Sequence, residues 1–144
     1  MAMKKTKTKE RKYLPTLADL IDALSIDQIK EIKLENKQSY ALEMKKISHD
    51  IDVLISQKKI KLSARLVRMI IVIAQMNLFI WNNKDKMQED PSHYNDLLKL
   101  AHQLNGIRNR TKNLLLDLSD DVEPSKKRTN TETDDLKGWD ISID

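Results

Sequence analysis

With 144 residues, 40% hydrophobic, 33% charged and no cysteine, the chain suits one soluble domain and excludes disulfides and Cys-ligated metals. Two Gly and three Pro are too few for a turn-rich all-β fold. The net charge of +4 is unevenly placed: residues 1–13 carry six basic side chains and one acidic, residues 119–144 four basic and eight acidic.

Residues 1–13 are polar and basic, and are expected to be a disordered arm. Such an arm adds phosphate affinity or is simply a solvated terminus. No signal peptide or lipidation motif is visible, so the protein is expected in the cytoplasm of a bacterium or of an infected host cell. Thr16-Leu-Ala-Asp19 reads as a capping box, with Leu17, Leu20, Ile21 and Leu24 at helical spacing behind it. Ser25-Ile-Asp-Gln28 reads as a second box, so helix 1 is expected to end near Leu24 and a new helix to begin at Ile26. That second helix continues through Tyr40, Met44, Ile47, Ile51 and Leu54, with a kink near residue 37 or a fresh cap at Ser39.

Residues 56–61 form a polar basic turn, and Ser63 caps helix 3, which runs to about Met87. Its stretch from Leu66 to Trp81 is apolar nearly all round, interrupted by Arg68, Gln75 and Asn77. Such a segment must be surrounded, so it is expected to be the central helix, with Ile70 and Ile73 almost completely buried. It is shorter than the ~20 apolar residues of a membrane span. Glu89-Asp-Pro-Ser92 breaks the chain. Helix 4 follows to about Leu118, with Tyr94, Leu97, Leu98, Ala101, Leu104, Thr111, Leu115 and Leu118 on one stripe and Gly106 inside it. Residues 119–135 are polar and expected to be disordered, and they lead to an apolar cluster of Leu136, Trp139, Ile141 and Ile143. That cluster either docks on the body or is a short motif for a partner. The fold class is all-α: an antiparallel bundle of about four helices over residues 14–118, between a basic arm (1–13) and an acidic tail (119–144).

The short connection makes helices 3 and 4 antiparallel, with facing positions summing to about 182. This sets Asn77 against Asn105, Trp81 against Ala101 and Asp85 against Leu97. Asn77, Trp81 and Asp85 share one face of helix 3; Asn105, Arg108 and Lys112 share one face of helix 4. Two amides meeting inside an apolar bundle either fix its register or floor a polar pocket with Arg108 and Lys112 as anion ligands.

Three segments carry a resemblance. Residues 17–30 (LADLIDALSIDQIK), the helix containing Asn77, Trp81 and Asp85, and the helix containing Asn105, Arg108 and Lys112 resemble, in order, a family of small uncharacterised all-helical proteins. That family occurs in surface-polysaccharide gene clusters and in tailed phages. The resemblance spans most of residues 14–118 and implies a fold and a polar strip, without an activity.

Other constellations are weaker. His49, Asp50 and Asp52, with His93 and His102, have no recognisable metal-ligand spacing, and Glu31 and Glu35 lack the second acidic pair of a Mg²⁺ site. No Gly-rich phosphate loop or nucleophile triad is present, so neither a cofactor nor a metal is expected. Lys58, Lys59, Lys61 and Arg65, with Arg68, form a basic patch at the helix 2–3 turn. With aromatics at 4%, nucleic acid would be held there by its phosphates alone. The expectation is a non-enzymatic binding or accessory protein, phage or bacterial, that meets a protein partner through strip, turn and tail. A nucleotide- or sugar-phosphate-binding protein or enzyme using Asn77, Asn105, Arg108 and Lys112 is the alternative, and a nucleic-acid-associated helical oligomer the third. No membrane association is expected, and a homo-oligomer stays open.

Overall fold

The computed structural model describes residues 14–119, and the arm (1–13) and the tail motif Leu136, Trp139, Ile141 and Ile143 lie outside them. Four long helices follow one another: α1 (Leu17–Lys33), α2 (Lys37–Lys58), α3 (Ala64–Glu89) and α4 (Tyr94–Leu118). A single 3-10 turn, Pro91–His93, precedes α4.

Local chemistry sets most of the boundaries. Thr16 Oγ1 accepts from the Asp19 amide at 3.1 Å, and the Asp19 carboxylate accepts from the Thr16 amide at 3.3 Å, completing the expected box. Ser63 Oγ accepts from the Leu66 amide and caps α3 as expected. The Ser25 box is a correction: α1 runs through it without a break to Lys33. Ser25 Oγ instead donates to the Asp22 carbonyl three residues back, a bond a helix interior tolerates. The true break is residues 34–36, where Lys37 Nζ reaches back to the Glu31 and Ile32 carbonyls at the end of α1. Lys59 ends α2 at a left-handed φ of 52°, while the Ile60 amide donates to Ile55 O.

The core is built from α1, α3 and α4. Leu17, Ala18 and Ile21 meet Leu66, Met69, Val72, Ile73 and Met76, closed by Leu104, Ile107, Leu115 and Leu116. α3 and α4 are antiparallel, and Asn83 Nδ2 donates to the Leu97 carbonyl at 2.7 Å, which sets the expected register to within a residue or two. α2 lies along α1 without close backbone packing on α3 or α4, and it buries no residue completely. Ile51 and Leu54 alone of its expected stripe pack against the core cluster, and the ammonium of Lys30 lies 5.8 Å from the Tyr40 ring across the α1–α2 joint.

Two expectations about burial are corrected. α3 is not surrounded: Ile73 is fully buried, but Ile70 is half-buried and Val67, Ile71, Leu78 and Phe79 are exposed. The flanking α2 covers α1, not the outer side of α3. On α4, Tyr94 and Leu118 are exposed, while Gln103, Ile107 and Leu116 turn inward, because packing against α1 as well as α3 widens the buried stripe.

Candidate functional site

Asp22 is the centre of a buried polar network that joins three helices. It sits on the apolar face of α1, in line with Ala18, Ser25 and Ile29, and is 6% exposed. Its Oδ1 accepts from Asn77 Nδ2 of α3 at 2.8 Å and from Arg108 Nε of α4 at 2.9 Å. Its Oδ2 accepts from a second Arg108 nitrogen at 2.5 Å and from Lys112 Nζ at 3.1 Å. The Arg108 contact is therefore bidentate, the strong geometry for a guanidinium on a carboxylate.

Around this centre the remaining groups are satisfied by one another. Asn77 Nδ2 also donates to Ser25 Oγ at 2.6 Å, and a third Arg108 nitrogen donates to Asn105 Oδ1 at 2.7 Å. Lys112, 5% exposed, reaches Asp19 Oδ1 as well, at 3.1 Å. Two carboxylates thus face two cations, and the cluster is electrically balanced. Burial pushes the Asp22 carboxyl up, but hydrogen bonds from Arg108 and Asn77 and the charges of Arg108 and Lys112 outweigh it and hold it at about 2. Asp19 follows the same pattern: burial raises it, and the bond and charge of Lys112 together with Thr16 bring it below its ordinary value.

The sequence-predicted strip is partly brought together. Asn77, Arg108 and Lys112 converge on one carboxylate, and Asn105 joins through Arg108. The two amides do not pair directly as expected: Asp22 and Arg108 stand between them, and Asn105 is on the surface. The cause is α1, whose acidic side chain takes the place across from Asn77. Trp81 is half-buried and Asp85 exposed further along α3, and no contact from either to the network is seen. Asp22, Asp19 and Ser25 were not foreseen as members. The available signal was a carboxylate on the apolar stripe of one helix matched by cations on the inward side of another.

A second polar pair lies at the α1–α2 joint. Asp27 is 4% exposed, and burial, then the hydrogen bond and charge of Glu43 on α2, raise its pKa. Its Oδ2 has no hydrogen-bond partner among the described residues. A raised carboxyl contributes its stability below the unfolded value and loses it as pH rises through the folded one. At pH 7 this pair opposes folding, so Asp27→Asn is expected to raise the thermal midpoint by a few degrees there, with the gain shrinking at pH 4. Calorimetry at the two pH values checks it, and a lower midpoint at pH 7 would contradict the assignment.

His93 contacts Asp90 at 2.7 Å on the surface, within the α3–α4 turn. Among the described residues no three His, Asp or Glu side chains are close enough to hold a metal. Lys58, Lys59, Lys61 and Arg65 cluster at the α2–α3 turn and are all exposed, as is Leu62 between them, at 82%.

No family model, curated protein or solved structure matches the chain.

Proposed function

We propose that the chain is a non-enzymatic helical binding protein of the bacterial or phage-infected cytoplasm whose partner is a protein with an acidic surface, met at the α2–α3 turn. The observation that carries this reading is Leu62, 82% exposed and flanked by Lys59, Lys61 and Arg65. An apolar anchor ringed by cations suits an acidic-rimmed protein pocket, where the anchor supplies affinity and the charges steer association. Phosphate-backbone binding would use the cations but leave Leu62 without a role.

The state of the polar strip supports the same choice. Arg108 and Lys112 are already bound to Asp22 and Asp19, so a phosphate entering there would have to displace a carboxylate from a bidentate pair. The three segments that carry the family resemblance each send side chains into this network. Their likeness then concerns how the three helices are joined, and binding falls to the surface.

The test compares wild-type chain with Leu62→Asp and with Lys59→Glu/Lys61→Glu in affinity selection from host extract, alongside retention on heparin. Partners held by wild type should be lost by both variants and released by salt. If the retained proteins are unchanged by both variants, the turn is not the binding surface. If heparin retention falls with the charge variant and is indifferent to Leu62→Asp, while no protein is selected, nucleic acid is the partner instead.

A further inference from the structure

α3 carries two apolar faces. Leu66, Met69, Val72, Ile73 and Met76 enter the core. On the opposite side Val67, Ile71, Ala74, Leu78, Trp81 and Asp85 follow one another at alternating steps of four and three. All are exposed except the half-buried Trp81, and Ile71 is 57% exposed. The stretch 66–81 is too short for a membrane span. The full 26 residues of α3 are nevertheless long and apolar enough, by length and composition, to cross a membrane, which corrects the expectation, and the fold buries only a third of that apolar window. Alternating steps of four and three give a 3.5-residue repeat, which keeps a stripe in line with a partner helix as in a coiled-coil seam. A contiguous exposed apolar stripe marks an interaction surface.

We propose that this seam pairs antiparallel with the same seam of a second copy of the chain. In a register where facing numbers sum to about 145, Val67 meets Leu78, Ile71 meets Ala74 and Ala64 meets Trp81, so every central layer is apolar. Charge fixes the direction. Residues 57–68 carry five basic side chains and no acidic one; residues 85–96 carry four acidic and one basic. An antiparallel pair sets each basic end against an acidic end, with Asp85 beside Lys61 of the second copy, twice by symmetry. A parallel pair would stack the two basic ends on each other, a like-charge juxtaposition. Lys61 is shared with the surface proposed for another protein, whereas Val67, Ile71, Ala74 and Leu78, which form the apolar layers, take no part in that surface.

Sedimentation equilibrium of the full chain should give a mass rising with concentration to twice the 16.8 kDa of one chain. Ile71→Asp should return it to one chain with circular dichroism retained, and with the thermal midpoint retained at a concentration too low for self-association, since the side chain is exposed in the single chain. The chain has no cysteine, so Val67→Cys and Leu78→Cys report contacts cleanly. Mixed and oxidised, these two variants should form a heterodisulfide, and neither alone should cross-link. A single-chain mass up to ~200 µM, well above a micromolar dissociation constant, would overturn the proposal. So would a Val67→Cys homodisulfide, which marks a parallel pair. Ile71-dependent binding of a monomer to phosphatidylglycerol vesicles would overturn it in favour of a membrane. A monomer that begins to dimerise only when residues 120–144 are removed would overturn it in favour of the chain's own tail.

Discussion

Asp22→Ala is expected to destabilise the bundle by about 3–5 kcal/mol, the range for removing one partner of a buried ion pair. Truncation leaves Arg108 facing an empty position and leaves buried Lys112 with Asp19 as its one counter-ion among the described residues. The loss should far exceed that of Asn105→Leu, because Asn105 is exposed and touches the network only through Arg108. Replacing Asp22, Asn77, Arg108 and Lys112 together by apolar residues of similar volume should recover most of the loss, since no uncompensated charge remains. Urea titration of the three variants checks the order. An Asp22→Ala midpoint close to that of Asn105→Leu would mean that the network does not hold the helices together.

The same carboxylate gives a signature in acid. Its folded pKa of about 2 lies below the ordinary value of 3.8. A depressed carboxyl contributes stability above the unfolded value and loses it as pH falls through the folded one. The contribution is about 2 kcal/mol from the size of that shift, and it disappears between roughly pH 4 and pH 2. Asp22→Asn should flatten the stability profile in that window.

Much of this arrangement was legible where the deciding chemistry is local. Thr16 and Ser63 cap helices because a hydroxyl and an amide three residues apart suffice, and both boundaries followed. Ser25 offered the same signature and misled, because its hydroxyl is used by Asn77, 52 residues away. Spacing within one helix carries no information about that partner. The short α3–α4 connection made the register readable, and Asn77 and Arg108 were found on that basis. Asp22 was missed because the place of α1 in the bundle is a tertiary fact, set by Leu17, Ala18 and Ile21 packing on α3 and α4. The outer face of α3 was misread for a related reason. An apolar helix states only that it must be covered, and its own chain covers one side.

Ile73→Ala is expected to cost about 2–5 kcal/mol, the range for deleting methyl and methylene groups from a site that cannot collapse. Ile73 is fully buried between Met69 and Met76 on the inward face of α3, where helices α1, α3 and α4 close the core. Ile71, two residues earlier on the same helix, is 57% exposed and points the other way. Ile71→Ala should change the stability of the single chain by no more than about 0.5 kcal/mol, as surface truncations do. The half-buried Ile70 should fall between them. The three variants have the same chemistry and nearly the same position in the chain, so their order depends on which way each side chain faces. Measured by urea unfolding at a concentration too low for self-association, that order separates the covered face of α3 from the open one. Equal losses at Ile71 and Ile73 would mean that α3 is enclosed on both sides within one chain, and the packing described for α1, α3 and α4 would have to be redrawn.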